Sequence, residues 1–346
     1  MENGMQRALA VVEKGKLALV EIPIPEPDDY EVLVKNEACC YCNTTDQMIT
    51  ENGYATPSYP TILGHECFGP VIKVGKKVKK YKLGDRVICS NAIVTGKSGE
   101  YCSSFGGFCE YGIAGDLEAY LADHGTLDAK NQYRARYAAN SIIDSDLPYR
   151  AASLAFPLAE VASAIRQVGD ITGKTVVIIG TGVMGSFHVL FAKLYGAKNI
   201  IAIDRMEKRL TLAKKFGATQ TFLDTEEMTA AVNALGKADI VFECSGSYRA
   251  LEGGLPYLKE GGMLAVYAVP KQPYVFDLLK CPINFTYKKI DPLVEDAIDE
   301  ICVSLKKGEI PVDDILTHEW DFEEAPAAYE VLKTGDVFKG LVRISL

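Results

Sequence analysis

The sequence lacks the segments that mark a secreted, membrane-spanning or repetitive protein. Residues 1–7 contain no apolar core of a signal peptide, and no apolar run elsewhere in the 346 residues is long enough to cross a bilayer. Internal repeats and low-complexity tracts are also missing. We therefore expect a cytoplasmic protein that does not bind membranes.

An excess of positive charge is missing too. Lys and Arg number 37 against 46 Asp and Glu, which gives a formal charge of -9. An acidic chain offers little attraction to a phosphate backbone. The lysines at 76, 77, 79 and 80 follow Gly75 and indicate a solvated turn. We expect no nucleic-acid binding.

The 10 cysteines do not indicate a disulfide framework. Such frameworks stabilise short secreted chains, whereas a reducing compartment keeps thiols free. We therefore expect buried thiols or metal ligands.

The length favours two domains, and the pattern of apolar residues changes along the chain. Short apolar runs at 8–12, 17–20 and 32–34, separated by turn residues, predict a barrel-like β domain up to about residue 112. A polar insertion follows at 116–150, with helix and loop character.

From residue 175 the pattern is strand alternating with helix, which predicts a parallel, doubly wound sheet. Its apolar strands are 175–179, 199–204, 239–242 and 262–267. A helix is predicted around 294–305, and β segments at 315–318 and 341–344 are candidates to rejoin the first domain.

A glycine-rich loop joins the first strand of this sheet to a helix that begins at Val183. Gly180 permits a tight turn, Gly182 lets a pyrophosphate approach the backbone, and Gly185 allows the helix and strand to pack closely. Met184 completes the loop. Asp204 ends the second strand 19 residues after Gly185, as expected for an acid that binds an adenosine ribose.

Asp204 also predicts the choice of nucleotide. A carboxylate accepts hydrogen bonds from the ribose hydroxyls and repels a 2′-phosphate, so the sequence predicts NAD rather than NADP. Arg205 could hold a 2′-phosphate only if Asp204 turned away, and a solvated residue at a helix start is the alternative interpretation.

A second set of candidate site residues lies in the β domain. Cys42 is followed two residues later by Thr44, and His65 and Glu66 stand at the start of a predicted strand. A thiolate, an imidazole and a carboxylate together suit zinc.

With these motifs the sequence resembles the zinc-type medium-chain dehydrogenase/reductase family, the alcohol and polyol dehydrogenases. The resemblance implies an α/β protein with a GroES-like β-barrel catalytic domain, residues 1–155 and 291–346, around a Rossmann NAD-binding domain, residues 156–290. It also implies a small alcohol or ketone substrate and a homodimer or homotetramer. The matching segments, in family order, are Gly64-His65-Glu66, Gly84-Asp85-Arg86-Val87, Gly106-Gly107-Phe108-Cys109-Glu110-Tyr111, the Gly180 loop, Phe242-Glu243-Cys244-Ser245-Gly246 and Glu323-Glu324-Ala325.

The resemblance also implies roles for single residues. Cys42 and His65 match ligands of one catalytic zinc, Glu66 matches an acid that is a ligand or close neighbour, and Thr44 matches the hydroxyl that binds the substrate oxygen. The nicotinamide side of the second domain matches four residues at strand ends: Cys244, Ser245, Val266 and Tyr267.

Three positions depart from the family pattern. Phe156 replaces a Glu ligand, and Glu160, four residues on, is either a substitute ligand or a surface charge. Gln47 stands where many relatives have the His of a proton relay. Thr45 stands where relatives have an Asp, although the next residue in this chain is Asp46. The four-Cys motif of a structural zinc is absent, because Cys89, Cys102 and Cys109 are too widely spaced, so we expect one zinc per chain.

Two other functions stay open. A zinc-free enone or quinone reductase has the same fold, although Cys42, His65 and Glu66 together argue against it. A non-catalytic NAD-binding protein is the other, suggested by Phe156 and Gln47. The polar insertion and the acid after His65 favour a polyol, sugar or cyclitol. The insertion residues that suggest this are Asp123, Tyr133, Arg134, Arg136 and Tyr137.

Overall fold

The computed structural model describes residues 4–54, 56, 58–93, 96–125, 139–225, 228–269, 273–275 and 283–345. The chain divides into two compact units, Met1–Ala159 with Val294–Leu346, and Glu160–Leu293. The boundaries predicted from the sequence, after residues 155 and 290, lie a few residues earlier.

The first unit contains mostly β structure, as its short apolar runs predicted. Its strands, numbered along the whole chain, are β1 (Met5–Glu13), β2 (Lys16–Pro23), β3 (Glu31–Lys35), β4 (Ala38–Cys40), β5 (Thr61–Ile62), β6 (Cys67–Val74), β7 (Arg86–Ile88), β8 (Cys102–Ser103), β9 (Tyr111–Gly115), β10 (Ile142–Ile143), β17 (Leu316–Asp321) and β18 (Lys339–Arg343). Its helices are α1 (Thr45–Asn52), α2 (Leu117–His124), α3 (Tyr149–Ala152), the start of α4 (Ala155–Gln167), α9 (Ile298–Lys306), α10 (Val312–Ile315) and α11 (Ala325–Lys333).

These strands form two sheets. One has the order β2-β1-β5-β8, and the larger one has the order β10-β7-β6-β4-β18-β17, with β3 pairing with both β6 and β9. Strand β18 is antiparallel to β4, with Leu341 opposite Cys40. The prediction that the last segment rejoins the first domain is therefore confirmed.

The second unit is a parallel sheet of the order β13-β12-β11-β14-β15-β16, which is the doubly wound arrangement that the sequence predicted. The strands are β11 (Thr175–Ile179), β12 (Asn199–Asp204), β13 (Gln220–Leu223), β14 (Ala238–Glu243), β15 (Leu258–Val266) and β16 (Phe285–Lys289). The helices are α5 (Val183–Leu194), α6 (Glu207–Phe216), α7 (Met228–Ala234) and α8 (Tyr248–Gly254).

Each unit has its own apolar core. In the first unit the core includes Leu9, Val34, Phe108 and Val342, all fully buried. In the second unit the central strands β11 and β12 are buried along nearly their whole length, because helices cover both faces of such a sheet. No helix in the described part of the chain is both long and apolar enough to cross a bilayer.

Candidate functional site

The loop before α1 holds Cys42 in a reciprocal pair of hydrogen bonds with Asp46. The Cys42 N–H donates to Asp46 Oδ2 at 2.9 Å, and the Asp46 N–H donates to the Cys42 carbonyl at 3.1 Å. Asn43 extends the anchorage, since its amide donates to the carbonyls of Val337 and Phe338. The Cys42 thiol is therefore presented by a fixed backbone.

Asp46 is buried, and burial raises the pKa of its carboxyl from 3.8 to about 7 although His65 opposes the shift. Its Oδ1 has no hydrogen-bond partner among the described residues, and neither has His65 Nδ1. A histidine that binds metal through Nε2 commonly donates its other ring N–H to a carboxylate. Both atoms are available for a hydrogen bond of this kind, although they do not bond each other in this structure.

His65 follows a glycine that no other residue could replace without a shift of the chain. Gly64 has φ of 94°, and a Cβ there would lie 2.6 Å from both the backbone nitrogen and the ring of Phe108. His65 and Glu66 immediately precede β6, which begins at Cys67, rather than standing on the strand as the sequence suggested.

Glu66 is paired with a lysine from the last strand. Lys339 Nζ lies 2.7 Å from Glu66 Oε1 and 2.5 Å from Oε2, and it also donates to the carbonyl of Tyr41. Both side chains of the ion pair are buried. Burial alone would lower the pKa of Lys339, but the Glu66 carboxylate raises it above its ordinary value.

The structure brings Cys42, His65 and Glu66 together. One potential ligand atom from each residue, sulfur, nitrogen and oxygen, lies within 4.8 Å of the other two. Within the described ranges this is the one group of three or more His, Cys, Asp or Glu side chains able to hold a metal. The unpartnered Nδ1 of His65 and the mixed donor set fit zinc.

In the second unit the glycines of the loop between β11 and α5 differ in their surroundings. A Cβ on Gly185 would lie 1.8 Å from the Gly180 carbonyl oxygen, whereas a Cβ on Gly182 would meet no atom within 4 Å. Gly182 caps α5, and no side chain caps its first turn. The space beside Gly182, at the amino end of α5, is therefore open, and Val183 and Met184 follow it as partly buried residues of the first turn.

Asp204 fastens the glycine loop to the end of β12. Its Oδ2 accepts hydrogen bonds from the Thr181 N–H at 2.7 Å and the Thr181 hydroxyl at 3.2 Å, while Oδ1 accepts from the Met206 N–H at 3.0 Å. Arg209 lies 3.7 Å from Oδ2, and Arg205 is exposed. A carboxylate has about four acceptor positions, so the geometry leaves room for a ribose hydroxyl.

The ends of β14 and β15 are organised by Glu243. This buried carboxylate accepts from Ser245 N–H, Gly246 N–H and Tyr274 hydroxyl, and its backbone carbonyl accepts from Tyr267 N–H. Cys244 N–H donates to Ile179 on β11. The predicted residues Cys244, Ser245, Val266 and Tyr267 thus lie at neighbouring strand ends of one sheet.

Comparison with known proteins identifies the family. The model described as alcohol dehydrogenase GroES-like domain matches residues 28–124, and the model described as zinc-binding dehydrogenase matches residues 183–291. Sorbitol dehydrogenase of Bacillus subtilis is 31% identical over 274 residues, 77% of this chain and 76% of that protein. The chain belongs to the zinc-type medium-chain dehydrogenase family. L-threonine 3-dehydrogenase of Symbiobacterium thermophilum is 30% identical over 286 residues, 79% of this chain and 78% of that protein.

A solved structure agrees in fold with this dehydrogenase. The alcohol dehydrogenase zinc-binding domain protein from Burkholderia ambifaria has a TM-score of 0.82 at 22% identity, covering 99% of both chains. The predicted GroES-like and Rossmann folds are therefore confirmed. The chain is an oxidoreductase of a family that acts on small alcohols.

Several predicted residues of this dehydrogenase lie where the sequence suggested, although their roles stay predictions. Thr44 caps α1 with its side chain exposed, and Gln47 lies in the first turn of that helix. Helix α4 begins at Ala155, two residues before Pro157, and Glu160 belongs to the second unit. Its role as a ligand stays a prediction.

The remaining histidines have ordinary environments. His188 is fully buried in α5 and packs against Phe242 and Tyr267. Burial lowers its pKa to about 4. His124 is exposed at the end of α2 and stacks on Tyr120, while His318 stacks on Trp320 in β17.

The cysteines considered for a structural zinc are dispersed. Cys89 and Cys109 are buried with their thiols facing backbone carbonyls, and Cys102 contacts Ser58. In the polar insertion Asp123 is bound by Tyr30 and Lys77. The other insertion residues considered, Tyr133, Arg134, Arg136 and Tyr137, lie outside the described residues.

Sequence reasoning missed Lys339 and Phe105. A lysine between apolar residues in a terminal strand, together with the buried acid Glu66, was the available signal for an ion pair. Phe105 gave no signal. It is the one non-glycine residue with positive φ among those described, at 78°, and its ring lies 5.1 Å from that of His65.

Proposed function

We propose that this chain is a zinc-dependent, NAD-linked dehydrogenase that interconverts a secondary alcohol and its ketone, with a polyol, sugar or cyclitol favoured as substrate. The observation that carries the proposal is the convergence of Cys42, His65 and Glu66, whose ligand atoms lie within 4.8 Å of one another. The three residues come from two short segments of the chain, the loop before α1 and the residues that immediately precede β6.

Zinc at this group would polarise a substrate hydroxyl and lower its pKa, which makes transfer of the carbinol hydrogen as hydride to NAD⁺ accessible near neutral pH. Cys42 and His65 would be its protein ligands, with Glu66 a third ligand or a close neighbour. Glu66 is bound by Lys339 in the structure, and this ion pair competes with any ligand role of the carboxylate.

Other side chains of the first unit would orient the ligands and accept a proton. Asp46 fixes the Cys42 backbone, and its Oδ1, like His65 Nδ1, has no hydrogen-bond partner among the described residues. Thr44 is exposed next to Cys42 and would hydrogen-bond the substrate oxygen. Gln47 cannot take up a proton, so the hydroxyl proton would pass from Thr44 to water.

NAD would bind in the second unit. The open amino end of α5 supports a pyrophosphate site, and Asp204 supports recognition of the ribose hydroxyls and rejection of a 2′-phosphate. In the net reaction the alcohol would transfer one hydride, which carries two electrons, to NAD⁺, its hydroxyl proton would go to solvent, and the ketone and NADH would be released.

The test measures metal content and turnover separately. Purified protein should contain about one zinc per chain, lose it in Cys42→Ser, and reduce NAD⁺ faster than NADP⁺ with at least one of a panel of polyols, sugars, amino alcohols and alkanols. Protein without bound zinc that reduces enones with NADPH would favour the reductase alternative. A zinc-loaded protein that binds NADH but oxidises no alcohol would favour the non-catalytic one.

We further propose a homodimer or homotetramer, on the resemblance alone. Light scattering on the purified protein should give two or four times the chain mass of 37.7 kDa. A monomer at micromolar concentration would contradict it.

A further inference from the structure

Two phenyl rings flank the imidazole of His65 in the first unit. The Phe105 ring centroid lies 5.1 Å from that of His65 at 55°, and the Phe156 centroid lies 6.1 Å away at 71°, edge to face. Phe156 is 7% exposed and Phe105 is partly exposed. The metal-ligand group therefore has an aromatic boundary on the side of His65.

The position of Phe105 is held by the fold. Its backbone is left-handed, a conformation that a bulky side chain adopts only under constraint from its surroundings. The Ile93 N–H donates to the Phe105 carbonyl, and the ring packs against the core of the first unit. The backbone that carries the ring is therefore fixed by the loop, and the ring is held by its packing against the core.

The group also has polar neighbours. Thr44 is exposed two residues after Cys42, and the buried carboxylate of Asp46 accepts from the Cys42 N–H. A substrate whose carbinol oxygen lies at the group would therefore have a hydroxyl group near Cys42 and hydrocarbon surface near His65. Phenyl rings accept methyl, alkyl or aryl groups and offer a buried hydroxyl no hydrogen-bond partner of ordinary strength.

We propose that Phe105 and Phe156 determine substrate specificity by forming an apolar wall that binds a hydrocarbon substituent of the carbinol carbon. The inference rests on the proposed dehydrogenase function and narrows its substrate class. The substrate carries hydroxyl groups on one side of the reacting carbon and a methyl, branched alkyl or aryl group on the other, as in a deoxy polyol or an aryl diol.

Matched substrates test the wall directly. Glycerol and 1,2-propanediol differ at one carbon, which carries a hydroxyl in the first and only hydrogens in the second, and 1-phenyl-1,2-ethanediol carries an aryl group there. We expect kcat/KM for oxidation at the secondary carbon to be about tenfold to 100-fold higher for 1,2-propanediol than for glycerol. The ketone product is identified to exclude oxidation at a primary hydroxyl.

Two variants of similar side-chain volume separate polarity from size. Phe156→Met keeps an apolar surface, whereas Phe156→Gln introduces hydrogen-bonding atoms. We expect F156M to keep the preference for 1,2-propanediol and F156Q to reduce it by about tenfold or more. If F156Q does not fold, Phe105→Asn serves the same purpose, because Asn tolerates left-handed backbone.

Binding supplies a second readout. On the zinc-loaded protein with NADH present, calorimetry should show tighter binding of 1-phenyl-1,2-ethanediol than of glycerol, and F156Q should weaken the former about tenfold while F156M should not. If F156Q and F156M have the same substrate preference, or if the protein prefers glycerol, the proposal of an apolar wall is wrong. The proposed dehydrogenase function is unaffected by that result. Absence of turnover with any alcohol overturns the proposed function, and the binding comparison still decides on the wall.

Discussion

Lys339 and Glu66 form a buried ion pair between the terminal strand and the metal-ligand group, with Nζ 2.7 Å from Oε1. Removal of a buried charge from water is costly unless a partner and hydrogen bonds replace the lost hydration. Here the ammonium also donates to the Tyr41 carbonyl. The pair therefore fixes the carboxylate beside His65.

Loss of the lysine should leave an unpaired buried carboxylate. We expect Lys339→Met to lower the free energy of unfolding by about 3–5 kcal/mol. Trp320 is the only tryptophan of the chain and lies in β17 of the first unit. Its fluorescence during urea denaturation therefore measures the unfolding of the first unit.

The control for this prediction is the double variant. Glu66→Gln in the Lys339→Met background removes the unpaired charge, so most of the lost stability should return. A single variant as stable as the wild type would show that the ion pair does not stabilise the first unit.

The glycine loop offers a matched pair of alanine substitutions. Gly182→Ala places a methyl group in open space at the end of α5, so folding should be unaffected while the Kd for NADH rises about tenfold or more. Gly185→Ala collides with the Gly180 carbonyl, so both stability and binding should decrease. Circular dichroism melting and NADH fluorescence titration separate the two effects. Unchanged NADH binding by G182A would contradict the pyrophosphate site.

Asp204 should determine the choice of nucleotide. Asp204→Ala removes acceptors for the ribose and repulsion of a 2′-phosphate, so the KM for NAD⁺ should rise about tenfold or more and the preference over NADP⁺ should shrink. Arg205→Ala is the control, because this exposed side chain should change the KM for NAD⁺ less than about twofold. An unchanged ratio of NAD⁺ to NADP⁺ use in D204A would remove Asp204 from the site.

His188 should make the second unit sensitive to acid. Its pKa is lowered to about 4 by burial, whereas an unfolded chain protonates histidine near 6.5. The contribution of the neutral His188 to the free energy of unfolding is therefore complete above pH 6.5. It is lost as the pH falls towards 4, by up to about 3 kcal/mol. Lowering the pH from 7 to 4 should decrease the urea midpoint of the wild type more than that of His188→Leu, with both midpoints measured by circular dichroism. Parallel curves would contradict this assignment.

The fold was predictable because its strong signals are periodic and local. The apolar strands β11 and β12, the glycine loop between β11 and α5, and Asp204 follow one another within 30 residues. The first and last residues of the strands were less predictable. The strand β15 begins at Leu258, four residues before the predicted start at 262, because glycines at 261 and 262 masked its first part in the sequence.

Only those parts of the candidate site that residue type and sequence motif indicate could be predicted. Cys42, His65 and Glu66 follow from ligand chemistry and family resemblance, but the pairing of Glu66 with Lys339 depends on the register of β18 against β4, which no local pattern encodes. The same holds for Phe105, whose left-handed backbone places its ring on His65. Long-range register and local backbone strain are the two properties that the sequence concealed.

The antiparallel pairing of β18 with β4 has a consequence for biosynthesis. The second unit is one continuous segment, Glu160–Leu293, and all its strands have left the ribosome before β18 is translated. The first unit needs residues from both sides of that segment, so the partner of Glu66 arrives last. We expect the nascent chain to fold the proposed nucleotide-binding unit early and to complete the surroundings of the proposed metal ligands only at the end of translation.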